Sequence, residues 1–108
     1  MKVGFYQFRP LFGNPEQNCK KIITALKNVD ADLIVLPELA LTGYYFKDKA
    51  ESIKYAEDPE NSERIDSLIN LANKCNMHMV IGFAEKRGEQ CFNSAALIGP
   101  SGIEHIYR

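Results

Sequence analysis

Leu33-Ile34-Val35-Leu36-Pro37-Glu38-Leu39-Ala40-Leu41-Thr42-Gly43-Tyr44 is the stretch on which the fold turns. Leu33 to Leu36 is an unbroken aliphatic run with a β-branched centre. Such a run reads as a short strand covered on both faces, as in a parallel sheet packed under helices. Pro37 cannot donate to a ladder and ends the strand. The next side chain is a carboxylate, delivered at the carboxyl end of the strand, where α/β sheets bind their ligands. Flanked by Leu36 and Leu39, Glu38 is expected to be partly withdrawn from water, the setting that suits a proton-transfer role. The competing reading is an ordinary solvated acid at a strand end.

The flanking elements alternate around this strand. Lys2 to Phe8 is rich in Val and aromatics and predicts a first strand. Asn14-Pro15-Glu16-Gln17 is a helix start, with Asn as cap and Pro at the first helical position. Cys19, Ile22, Ile23, Leu26 and Val29 then form an apolar stripe at helical spacing. Beyond Glu38, a Gly-containing loop runs to Tyr45, and Lys47 to Glu57 predicts a short polar helix whose charges form a solvated face. Ile65, Leu68, Ile69, Ala72 and Cys75 mark another helix, closed by Asn76. Met79 to Ala84, Cys91 to Ile98 and Ile103 to Tyr107 read as three further strands. They are separated by turns at Lys86-Arg87-Gly88-Glu89 and Gly99-Pro100-Ser101-Gly102. The order predicts an α/β fold: a mixed five-stranded sheet with its helices on one face. The other face is left bare, and Phe5, Val35, Ile81, Ala95 and Leu97 are expected to line it. A chain with such a face is expected to be marginally stable or to self-associate.

Composition narrows the function classes. The chain has 108 residues, enough for one domain, and 13 basic side chains against 14 acidic ones. That balance, without a Lys/Arg cluster, excludes a basic nucleic-acid arm. No window approaches the roughly 18 apolar residues of a membrane-spanning helix. The N-terminus lacks the features of a signal peptide, so a cytoplasmic location is expected. Cys19, Cys75 and Cys91 form no metal-ligand or redox pattern and read as small apolar side chains. His78 and His105 have no ligand partners at metal spacing, and no Gly-rich phosphate loop is present. No metal and no cofactor are expected.

Taken in order, the motifs resemble those of the nitrilase superfamily, the carbon–nitrogen hydrolases. Its first signature is a strand ending in Pro-Glu, then a small and apolar stretch and Gly-Tyr, as in Leu33 to Tyr44. The opening Lys2-Val3-Gly4-Phe5-Tyr6-Gln7 resembles its first strand, and Asn14 with Pro15 and Asn18 its first helix start. Val80-Ile81-Gly82-Phe83-Ala84-Glu85 and Phe92-Asn93-Ser94-Ala95-Ala96 resemble its next two strands. Gly99-Pro100-Ser101-Gly102 followed by Tyr107-Arg108 resembles the hairpin leading to its catalytic lysine. The resemblance covers the whole chain. It implies the N-terminal part of a four-layer α-β-β-α sandwich and assembly into homo-oligomers. The substrate it implies is a small amide, N-carbamoyl compound or nitrile.

The resemblance also assigns roles. Glu38 matches the general base of a Glu-Lys-Cys triad. Tyr44 matches a position bordering the substrate pocket, with packing beneath the loop as the alternative. Asn93 sits mid-strand among apolar neighbours and is expected to be buried and hydrogen-bonded, an anchor near the site and not a catalytic group; Gln7 reads likewise. In the family the lysine directly follows a Tyr-Arg pair like Tyr107-Arg108, and the nucleophilic cysteine lies further on. None of Cys19, Cys75 and Cys91 matches it, so Glu38 alone carries over. The chain is therefore expected to be the N-terminal portion of a hydrolase domain truncated after Arg108, and inactive by itself. The alternative is a non-catalytic truncated homologue that acts as an assembly or binding module.

Overall fold

The aliphatic run does pair on both sides. In the computed structural model, which describes Met1–Arg108, β2 (Leu33–Val35) lies between β1 (Val3–Phe5) and β3 (His78–Arg87), parallel to both. β3 turns back into β4 (Gln90–Gly99), and β4 into β5 (Gly102–Tyr107), each pair antiparallel. The sheet is five-stranded in the order β1-β2-β3-β4-β5. Three helices accompany it: α1 (Pro15–Leu26), α2 (Lys49–Tyr55) and α3 (Glu63–Cys75).

The helix boundaries follow from their caps. The side chains of Asn14, Asp48 and Ser62 accept from the backbone N–H groups of Gln17, Glu51 and Ile65, satisfying donors that each first turn leaves open. Asn76 ends α3 in the left-handed conformation, with φ at 49°. The apolar stripes of α1 and α3 meet one face of the sheet. Ile22, Leu26, Ile65 and Leu68 pack there with Met79, Ile81, Phe83, Ala96 and Ile98.

Three expectations are corrected. The first strand is shorter than Lys2 to Phe8, because its partner β2 offers only three residues to pair with. β3 and β4 are longer than expected, at ten residues each, because Gly88 at φ 59° lets the turn shrink to Gly88-Glu89. Ile81 is on the helix side and fully buried. Along β3 the side chains alternate, so Ile81 shares a face with Met79 and Phe83, and Val80 and Gly82 take the other. The remaining members of the bare face stand as expected: Phe5 is 74% exposed and Val35 40%, and Tyr107, at the other edge of the sheet, is 73% exposed.

β5 contains one irregularity. Leu97 pairs with His105 and Ile98 with Ile103, so Glu104 is an extra residue in a β-bulge. Its carboxylate sits 3.0 Å from Nε2 of His78.

Candidate active site

After β2 the chain continues to hug β3 instead of leaving it. Leu36 N–H donates to Val80 O at 2.8 Å, Gly82 N–H to Pro37 O at 3.2 Å, and Ala40 N–H to Gly82 O at 2.8 Å. Glu38 and Leu39 form the crest of this turn. Leu39 adopts a left-handed φ of 48°, a conformation costing a β-carbon-bearing residue on the order of 1 kcal/mol. Its carbonyl accepts from the N–H groups of Thr42 and Gly43, which fixes the crest from below. Asn18, buried on α1, donates to the carbonyls of Leu11 and Leu41, both at 2.8 Å, and moors the loop to the helix layer.

Gly82 is what allows the crossing. A β-carbon there would stand 2.6 Å from Glu38 Cα and 2.8 Å from Pro37 O, inside any tolerable contact. Both obstacles are backbone and cannot swing aside. Gly82→Ala is expected to destabilise the fold by about 1–3 kcal/mol, the range for overpacking, and to push Glu38 off its position. A urea-unfolding midpoint equal to wild type would show that the turn gives way freely and holds Glu38 in no fixed place.

Across this turn Asn93 reaches Glu38. Asn93 lies opposite Ala84 in the β3–β4 ladder, on the face away from the helices, and its Nδ2 donates to Glu38 Oε1 at 2.6 Å. The bond joins the crest after β2 to β4 over the top of β3. One carboxylate oxygen is thereby held, and Oε2 has no protein partner. A carboxylate held at one oxygen and open at the other can take a proton from an approaching group. Two grooves flank it. One, of about 500 Å3, is lined by Gln7, Arg9, Pro37 and Tyr44 among others. The other, of about 410 Å3, is lined by Leu39, Phe46, Lys47, Cys91 and Asn93 among others.

The expected site residues are thus partly reunited. Glu38 and Asn93 are in direct contact. Tyr44, 53% exposed, borders the neighbouring groove and makes no bond to Glu38. Gln7 lines that same groove. Two expectations of burial are corrected: Glu38 and Asn93 are both exposed, because Glu38 stands on the crest of the turn over Gly82 and Leu36 packs into the helix-side core instead of covering it. Gly82, Leu39 and Asn18 were not foreseen as parts of the site. For Gly82 a signal exists, since a lone glycine inside a strand pattern often marks close approach of another backbone. For a leucine in a left-handed turn there is none.

The cysteines stand apart from this chemistry. All three are free, and burial pushes the Cys19 thiol up to about 11. Near pH 8 the Cys19 thiol is then almost wholly protonated and presents little thiolate to an alkylating reagent. Iodoacetamide at pH 8 is therefore expected to label Cys75 and Cys91 at least tenfold faster than Cys19, as read by peptide mass spectrometry. Equal rates would contradict the burial of Cys19.

The comparisons with known proteins point one way. Residues 2–108 match the family model described as carbon-nitrogen hydrolase. A nitrilase of Pyrococcus abyssi is 34% identical over 100% of this chain and 42% of its own length. Protein N-terminal amidase of Saccharomyces cerevisiae is 29% identical over 99% of this chain and 25% of its own. A crystal structure of N-terminal amidase with an Asn-Glu-Ala peptide superposes at a TM-score of 0.85 and 28% identity, over 100% of this chain and 28% of that one. The chain spans less than half the length of these relatives. With a family match along nearly its whole length and the Pro-Glu turn formed as the motif requires, this chain belongs to the carbon–nitrogen hydrolase family.

Proposed function

We infer that the chain supplies the general-base half of a Glu-Lys-Cys amide hydrolase, with Glu38 as the base and Asn93 as the residue that orients it. The observation that carries this reading is the 2.6 Å bond from Asn93 to Glu38 Oε1, which leaves Oε2 open toward the bare side of the sheet. The ladder adds support. Ala95 pairs with Tyr107, so a residue following Arg108 in the same strand falls opposite Asn93 and beside Glu38. That is where the family resemblance calls for the lysine.

The chemistry explains the division of labour. Attack on an amide carbon needs a thiolate, and an ordinary cysteine is mostly protonated at neutral pH. Glu38 takes that proton, passes it to the departing amine, and then activates the water that cleaves the thioester. A lysine ammonium stabilises the oxyanion in both steps. Glu38 performs only its own part of this sequence, so the 108 residues alone are proposed to be inactive.

Amides are the proposed substrates in preference to nitriles. Support comes from the relatives named as amidases and from the N-terminal amidase structure holding an Asn-Glu-Ala peptide. The test is ammonia release by the complete gene product from panels of primary amides, N-carbamoyl compounds and nitriles. Release from amides supports the reading. Turnover of nitriles alone overturns the substrate class, and release from none overturns the function.

A further inference from the structure

We propose that Glu85 is a positioning residue for this site, acting from the opposite face of the sheet by clamping Ser94 and Arg108. The proposal rests on the hydrolase reading above. Glu85 is fully buried, with 0% of its surface exposed. Ser94 Oγ donates to Glu85 Oε1 at 2.8 Å, and Arg108 donates to Oε2 at 2.7 Å. The three side chains come from β3, β4 and the end of β5, so one carboxylate ties three strands together.

The placement of the clamp is what links it to the site. Ser94 directly follows Asn93, so securing Ser94 from the helix side secures the strand that presents Asn93 to Glu38 on the other side. Ser94 and Arg108 occupy the rung after Ala95 and Tyr107. Arg108 directly follows Tyr107 of β5. Its guanidinium, capped by the Phe92 ring at 5.8 Å, is held by Glu85. A buried carboxylate cannot forgo its cation cheaply, so the contact is compulsory. Strand side chains alternate in direction. With Arg108 fixed toward Glu85, the following residue is directed to the Glu38 face.

The test uses the complete gene product with Glu85→Gln, Arg108→Met and Arg108→Lys. Two readouts are taken: steady-state kinetics on an amide that wild type hydrolyses, and backbone hydrogen exchange along β4 and β5. The clamp predicts that Glu85→Gln and Arg108→Met lower kcat about 100-fold, the usual consequence of a misplacement near 1 Å, with KM changed less than threefold. It predicts that Arg108→Lys restores at least tenfold of that loss. Exchange should quicken at Ser94 to Ala96 and at Ile106 to Arg108, and stay at wild-type rates in β1 and β2. Kinetics and exchange both unchanged would overturn the proposal and leave the hydrolase reading intact. A wild-type protein that releases ammonia from no amide, N-carbamoyl compound or nitrile removes the hydrolase reading, and the exchange pattern then decides the clamp: unchanged rates at the β5 end overturn it. Uniformly faster exchange over the whole sheet would also overturn it, as the mark of a general stability role.

Discussion

Glu38→Gln is expected to lower amide hydrolysis by the complete gene product by about 100-fold to 10,000-fold, the contribution usual for a positioned acid–base group. The loss should fall on kcat, with KM and the thermal midpoint close to wild type. The substitution is nearly isosteric, and the glutamine carbonyl can still accept from Asn93 Nδ2 where Glu38 Oε1 does now. Glu38 is exposed and forms no ion pair, so its charge contributes little to folding. What disappears is the capacity to accept a proton. Asn93→Ala should cost less, because it frees the carboxylate without removing it. Wild-type turnover in Glu38→Gln would place the base elsewhere and end the functional reading, whatever the fold.

Arg64→Met is expected to destabilise the protein by about 3–5 kcal/mol, the cost of breaking a buried pair from one side. Glu57 is nearly fully buried and receives Arg64 Nε at 2.6 Å, Arg64 Nη2 at 2.9 Å and Ser62 Oγ at 2.7 Å. The bond to Glu57 in turn holds the Arg64 guanidinium above its already high ordinary value, with Glu16 on α1 adding to the effect. Methionine keeps most of the stem packing and removes only the donors, which leaves a carboxylate in a place closed to water. Against a total stability of about 5–15 kcal/mol for a typical domain, that loss is large. Urea unfolding measures it. Adding Glu57→Gln to the variant should recover a substantial part, since the stranded charge is then gone. A midpoint within experimental scatter of wild type in Arg64→Met would show that Glu57 finds water or another cation.

Hydrophobic period and cap chemistry made most of the fold readable. The stripes of α1 and α3 and the caps Asn14 and Asn76 all stand where the residue types call for them. The Pro37-Glu38 pair was legible because proline must stop the strand just before the acid. What was hidden depends on other chains of residues. Ile81 was placed on the wrong face because aliphatic runs in parallel strands carry no alternation to read, so parity is set by register alone. Glu57 was read as part of a solvated helix face, but it lies past the end of α2, bridged to β3 and sealed by Arg64. Burial of a carboxylate depends on a cation seven residues later in sequence and on a neighbouring strand, and composition records neither. The exposure of Glu38 was missed for the same reason: solvent access depends on what overlies a face, not on the two leucines beside it.

The extra residue at Glu104 has a consequence out of proportion to its size. A strand has a parity, and a bulge of one residue inverts it for everything downstream. Before the bulge, Ile103 looks toward the helices; after it, Ile106 and Arg108 do so, and His105 and Tyr107 look away. Without that single insertion the guanidinium and the phenol would trade sides. Arg108 would leave Glu85, and Tyr107 would enter the helix layer. Which chemical groups this edge of the sheet shows to each side is thus decided at a position that takes no part in the chemistry, by counting rather than by contact.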